Sequence, residues 1–277
     1  AGSNFINEFT YNVGSMTNKG VEFMLNTVAV DQKDFKVNLG FNITYNQNRI
    51  TNLTLFNDPN FIGNKVGGIS GGTGNTVQIN AVGTARNTFF VYQQVYNEDG
   101  KPLDGVFVDR NLDGQITDQD LYKYKTPDGN VFLGFSSNIS YKKWSGGFTM
   151  RSNLNNYVYN NVASSTGTFR NIFNPLEFLS NGSTDILNSG FSGAGDKYFL
   201  SDYYVQNASF LRMDNLNIGY NFGKVLKGKA NLNISANVQN AFVITNYDGI
   251  DPEISGGIDN NFYPRPRTFA LGLNLGF

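Results

Sequence analysis

The sequence predicts an all-β fold, an antiparallel transmembrane β-barrel, and three observations carry that prediction. Two C-terminal segments alternate apolar and polar residues without a break. Ala230, Leu232, Ile234, Ala236 and Val238 oppose Asn231, Asn233, Ser235, Asn237 and Gln239, and Phe269, Leu271, Leu273, Leu275 and Phe277 oppose Ala270, Gly272, Asn274 and Gly276. A period of two is a strand with two unlike faces, and a Leu/Ile/Phe band against Asn, Gly and Ser suits a wall between lipid and water. The second observation is composition: 24 Phe and 15 Tyr accompany only 16% charged residues, with 31 Gly and still more Asn, in 277 residues. Soluble surfaces carry more charge. Third, no apolar run reaches the roughly 18 residues of a spanning helix, so strands are left to cross a membrane.

Nine strands follow from alternation and turn residues. The first covers about 17 to 30 with Val21, Phe23 and Leu25; the second covers 35 to 54, with Phe35, Val37, Leu39, Phe41, Ile43 and Tyr45 on one face. After a Gly-rich loop at 55–73, the third (about 74 to 83) and fourth (87 to 97) flank a turn at Thr84 to Asn87. A polar insertion, 98–130, leads to the fifth strand, Val131 to Tyr141, and the sixth, Gly147 to Tyr159. A long loop, 160–202, precedes the seventh, about 203 to 222, and the two alternating segments above, joined by a loop at 246–266, complete the set.

Short and long connections alternate along the chain. Outer-membrane barrels have tight periplasmic turns and extended external loops, so 55–73, 98–130, 160–202 and 246–266 are expected outside and the C-terminus on the periplasmic side. Nine is odd, whereas bacterial single-chain barrels have even counts. An unpaired edge is not tolerated in hydrocarbon; preceding strands are therefore expected to belong to the rest of a larger barrel. In the seventh strand, strict alternation places Arg212 and Asp214 on the face of Phe210 and Leu216. Either a bulge near Asn215 shifts the register, or the two charges pair in water on an external extension, which is the preferred expectation.

A net charge of −1 argues against nucleic acid, which needs a basic patch. With no His and no Cys, imidazole acid–base chemistry, a Ser-His-Asp triad and His- or Cys-ligated zinc are excluded. No enzyme is expected. Asp109, Asn111, Asp113, Gly114, Gln115 and Asp120 fit the spacing of a calcium loop, with Asp in place of Glu at the last ligand position. Asp109, Asn111, Asp113 and Asp120 would offer side-chain oxygens and Gln115 its carbonyl to Ca2+, the alternative being a metal-free Asp/Asn/Gly turn. The glycines at 67, 68, 71, 72 and 74 lack the Lys-Ser/Thr of a phosphate cradle and read as flexible loop. Asp248, Asp251, Glu253 and Asp259 read as solvated loop charge. Tyr45, Tyr141, Trp144, Tyr220 and Phe222 are expected in a girdle at the periplasmic ends; Tyr92, Tyr96, Tyr157 and Tyr159 suit either ligand stacking or the outer girdle.

Several segments resemble one family in order and spacing. Asn18-Lys19-Gly20-Val21-Glu22, Phe107-Val108-Asp109-Arg110-Asn111 with Asp113-Gly114, and Ser209-Phe210-Leu211-Arg212 are the first three. Asn240-Ala241-Phe242, Tyr247-Asp248-Gly249-Ile250-Asp251-Pro252-Glu253 and Tyr263-Pro264-Arg265-Pro266-Arg267-Thr268-Phe269 complete the set. Together they resemble the C-terminal barrel of SusC/RagA-type TonB-dependent transporters of Bacteroidetes, and Phe277 resembles the aromatic terminus recognised in outer-membrane assembly. The resemblance implies a barrel of about 22 strands closed by an N-terminal plug through which TonB couples, a SusD-like surface lipoprotein as partner, outer-membrane lipid around it, and import of oligosaccharides or peptides. A passive porin, or a soluble calcium-stabilised β-sandwich adhesin, is the alternative.

Overall fold

The computed structural model describes residues 12–56, 58–72, 74–173 and 181–277. Seven long strands form one antiparallel sheet in strict chain order: β1 Ser15–Asp31, β2 Phe35–Asn52, β3 Val131–Tyr141, β4 Trp144–Leu154, β5 Phe210–Val225, β6 Ala230–Thr245 and β7 Thr268–Gly276. All seven reach or exceed the roughly 9–11 residues that a tilted strand needs to cross a bilayer, β7 with nine being the shortest. Register keeps like with like. Leu216 faces Val238, which faces Phe269, while Asn217 faces Asn237. One side is consequently an exposed apolar band, with Leu271 88% accessible, and the other a field of Asn, Ser, Gly and Thr.

The sheet has two dissimilar ends. At the turn end, Lys142 adopts a positive φ of 51° in the β3–β4 hairpin, and Leu226 and Lys227 do the same before β6. Aromatic rings gather there: Phe35 with Tyr141 at 6.1 Å, and Trp144 with Tyr220 and Tyr220 with Phe222 both at 4.7 Å. Tyr45 does not join them; it pairs with Val131 at the opposite end of its hairpin.

At the loop end, three connections pack into a second body. Val77, Phe89 and Val91 come from the β2–β3 connection, Tyr159, Phe191, Tyr198 and Tyr204 from the β4–β5 connection, and Ile258 from the β6–β7 connection; together they form one buried cluster. Short strands tie it: Tyr157–Asn160 lies between Val205–Asn207 and Ile258–Asp259. Burial of these rings, which contribute large apolar area, orders what the sequence reads as loops. Part of the 160–202 loop, residues 174–180, lies outside the described residues.

The third and fourth expected strands belong to this body and not to the main sheet. Thr76–Asn80 and Thr88–Val91 are short and buried on both faces, with Val77, Gln78, Ile79 and Phe89 all hidden. They are too short to cross a bilayer. The Thr84–Asn87 turn accordingly sits at the loop end, where Thr84 O accepts from Ile50 N at 2.8 Å. Tyr92 and Tyr159 are core residues of the body, not a girdle. Removing two strands together preserves the expected parity, and β1 and β7 remain edges among the described residues.

Candidate functional site

The seventh expected strand resolves its conflict through a bulge. In β5, Met213 pairs with Met150 and Asn215 with Thr149, so Asp214 is the extra residue; against β6 the register also shifts between Met213 and Asn215. A bulge reverses the facing of everything beyond it. Arg212 therefore stands opposite Arg151 on the polar side, and Arg212 and Asp214 do not pair with each other as the sequence reading prefers.

They enter a larger network. Arg151 Nε donates to Asp214 Oδ2 at 2.8 Å, and its two Nη atoms grip Glu253 at 2.7 Å each. Arg212, only 2% exposed, donates from Nη1 to Asn240 Oδ1 and from Nη2 to Asp251 Oδ1, both at 2.7 Å. Arg265 bridges Glu253 at 2.5 Å and Asp251 at 3.5 Å. Bidentate guanidinium–carboxylate geometry is the strong form of such contacts. Burial alone would raise the Glu253 carboxyl, but the Arg151 hydrogen bonds and charge, with Arg265 and Arg212, outweigh it and hold the group below its ordinary range.

Asp251 and Glu253 are thus not the solvated loop charges expected from sequence. Neither is Asp259, which is buried and accepts from the Tyr247 hydroxyl at 2.8 Å. The one sequence signal for the network was the misfit of Arg212 and Asp214 with their neighbours.

The Asp-rich loop folds as a tight turn. Gly114 takes φ +81°, and Asp109 accepts from Leu112 N at 2.7 Å and Gly114 N at 2.8 Å. Asn111 and Asp113 exchange contacts, and Gln115 N donates to Asp113 Oδ1 at 2.8 Å. Asp120 lies behind them, fully buried, its oxygens accepting from Thr117 N at 2.7 Å and Arg110 N at 2.8 Å. The Thr117 amide first, then those of Arg110 and Asn111, hold this carboxyl below its usual range. Among the described residues no three acidic side chains form a ready metal-holding cluster. The carboxylates still fit a hard cation, because an ionised carboxylate accepts about four bonds and most of these oxygens use only one or two.

Between the loop ends of β1–β4 and the overlying body runs a cleft of about 890 Å³. Its wall on the sheet side is the polar face; its roof includes Pro252 to Gly256, held down by the arginine–carboxylate network.

A seven-stranded antiparallel meander with one apolar and one polar face, turns at one end and a packed loop body at the other, is of the class that forms the wall of a transmembrane β-barrel. No family model matches the sequence. Curated relatives do: the chain is 44% identical over 286 residues to the TonB-dependent receptor SusC of Bacteroides thetaiotaomicron, covering 100% of this chain and 28% of that protein. It is 27% identical over 303 residues to the TonB-dependent receptor P3 of Formosa agariphila, covering 96% and 29% respectively. Among solved structures, the RagAB peptide transporter superposes with a TM-score of 0.72 at 23% identity, covering 96% of this chain and 30% of that one. The RagAB importer in its open-open state superposes at 0.68. The chain belongs to the SusC/RagA-type TonB-dependent receptors, and spans under a third of the length of the relatives it matches.

Proposed function

We propose that this chain is part of the barrel of an outer-membrane, TonB-dependent nutrient importer that takes up oligosaccharides or peptides with a SusD-like surface lipoprotein. One observation carries the reading: a chain whose sheet has one predominantly apolar and one polar face matches SusC over 100% of its own length at 44% identity. The remaining strands of the barrel, and a plug that TonB engages, are assigned to the other part of the same protein. In this reading the turn end is periplasmic and the loop body external, and the apolar band with its aromatic cluster meets lipid. Import, in contrast to passive diffusion through a porin, requires energy. Cells carrying the full-length receptor should accumulate nutrient only while the proton-motive force is intact; accumulation unaffected by a protonophore would sink the importer reading.

The Asp109–Asp120 turn is proposed to bind Ca2+ as a structural ion of the external body. Asp109, Asn111, Asp113 and Asp120 would supply side-chain oxygens and Gln115 its backbone carbonyl. The ligand spacing, the positive φ of Gly114 and the remaining acceptor capacity of the carboxylates support it.

A further inference from the structure

We propose that the turn end of the sheet is a docking surface for the phosphate headgroups of anionic phospholipid in the periplasmic leaflet. The inference rests on the reading above, in which this end of a membrane barrel faces the periplasm. Charge is segregated along the sheet. Lys33 and Lys36 stand in the β1–β2 hairpin, Lys142 and Lys143 in the β3–β4 hairpin, and Lys224, Lys227 and Lys229 in the β5–β6 hairpin, all exposed. Asp31 and Asp34 are the acidic side chains of these hairpin ends. This end therefore carries +5 in a chain whose total is −1, which leaves −6 on the remainder. Backbone contacts hold the hairpins side by side: Lys142 N donates to Asp34 O at 2.7 Å, and Asn221 N to Lys143 O at 2.8 Å.

The positive charge is not consumed internally. Lys36 reaches Asp31 Oδ1 at 2.7 Å, and Lys143 Nζ donates to the carbonyl of Phe222 at 3.4 Å. The other five ammonium groups make no ion pair among the described residues. Two of them also break a local rule. Lys142 and Lys227 take φ of 51° and 57°, a left-handed conformation in which Gly or Asn is the unstrained choice. A lysine kept there strains the backbone with no ion pair to offset it, and misfits of this kind point to a function outside the fold itself.

Depth identifies the anion. Tyr141, Trp144 and Phe222, each close to half exposed, border the apolar band at this end, and such aromatics lie at headgroup level. Lys142 Nζ stands 5.4 Å from the Tyr141 ring centroid, so its charge is held where phosphates begin. The lysines are spread over six adjacent strands, a width of about 24 Å at the usual strand spacing. That spread fits a layer of headgroups, whereas a single soluble anion needs charges converging on one point. Flexible, strongly hydrated lysine stems also suit mobile headgroups; the arginine forks of Arg151, Arg212 and Arg265 serve fixed carboxylates instead.

The test reconstitutes the full-length receptor in phosphatidylethanolamine vesicles and compares, by electron spin resonance, the association of spin-labelled phosphatidylglycerol and spin-labelled phosphatidylethanolamine with its surface. Phosphatidylglycerol should be favoured about fivefold, the worth of one lysine at an anionic surface, and the preference should shrink as salt shortens the screening length. Lys142→Asn with Lys227→Asn should bring the two lipids close to parity while leaving the receptor no less stable, because Asn accepts the left-handed backbone. Lys33→Gln with Lys229→Gln, at ordinary backbone positions, should narrow the preference likewise. Lys101→Gln with Lys123→Gln removes the same charge from the loop end and should change nothing. Equal association of the two lipids in the wild type, a preference indifferent to the turn-end pairs, or an equal loss in the loop-end pair overturns the surface. Displacement by inorganic phosphate beyond that by chloride at equal ionic strength assigns the lysines to a free anion and overturns it too. Protonophore-sensitive uptake is measured separately: energised uptake without lipid selectivity rejects the surface and leaves the importer, and selectivity in a receptor whose uptake ignores the protonophore does the reverse.

Discussion

Arg212 Nη2 lies 2.7 Å from Asp251 Oδ1, joining the interior of β5 to a loop residue 39 positions downstream. The contact is nearly dry, the two side chains being 2% and 13% exposed. A buried pair of this kind contributes little net stability while intact, yet is costly to break, because the survivor is left charged and desolvated.

Arg212→Leu should therefore destabilise the chain by about 3 kcal/mol and loosen the β6–β7 connection selectively. Arg212→Lys should recover little, since one ammonium cannot span the positions that the guanidinium fork uses for Asn240 and Asp251. Amide exchange of residues 248–258 in the full-length receptor checks both; unchanged protection in Arg212→Leu would contradict the clasp.

The same connection should loosen in acid. Glu253 has a folded-state pKa held below its unfolded value, so its contribution to stability is fully present above the unfolded pKa, about 4.3, and is lost as the pH falls through the lower folded value. Limited proteolysis of the connection on descending from neutral pH should show the transition. Glu253→Gln should be cleaved at a rate that no longer depends on pH in that window, and wild-type cleavage that stays flat would reject the effect.

Calcium should bind the Asp-rich turn with a dissociation constant of about 0.1–1 mM, the range of extracellular modules. Asp113→Ala should abolish the calorimetric signal and leave the fold intact, because Asp113 is exposed. Asp120→Ala should disrupt the turn with or without the ion, since its carboxyl holds the Thr117 and Arg110 amides. Absence of calcium heat on the intact receptor removes the assignment.

Facing is testable by paired substitutions. Leu216→Arg places a charge between Val238 and Phe148 in the apolar band and should cost about 2–4 kcal/mol in a bilayer if it lies near the midplane. Asn217→Arg, one residue along and on the polar side, should be tolerated. Denaturant unfolding in lipid vesicles distinguishes them, and equal effects would mean that the band does not face lipid.

The long strands were legible because strict alternation persists over enough residues to separate two faces; β3 in particular runs over the predicted Val131–Tyr141. Thr76–Asn80 and Thr88–Val91 are not legible as part of the loop body for the complementary reason: segments buried on both sides carry no facial contrast, and only their short length sets them apart from spanning strands. The bulge at Asp214 was visible as a conflict, but a conflict does not say which of two geometries relieves it. The arginine network and the cleft were illegible because they are products of pairing across the sheet. Arg151 meets Glu253 across 102 positions, and no local pattern encodes a partner that distant.

The buried cluster of the loop body draws Val77 and Phe89, Tyr159 and Phe191, and Ile258 from three separate connections. These connections are consequently not interchangeable modules. Grafting one of them from a relative would import a fragment of a jigsaw and expose the remainder, so recognition at this end of the molecule can be re-engineered by altering rim side chains or by transplanting all three connections together, but not by exchanging one alone.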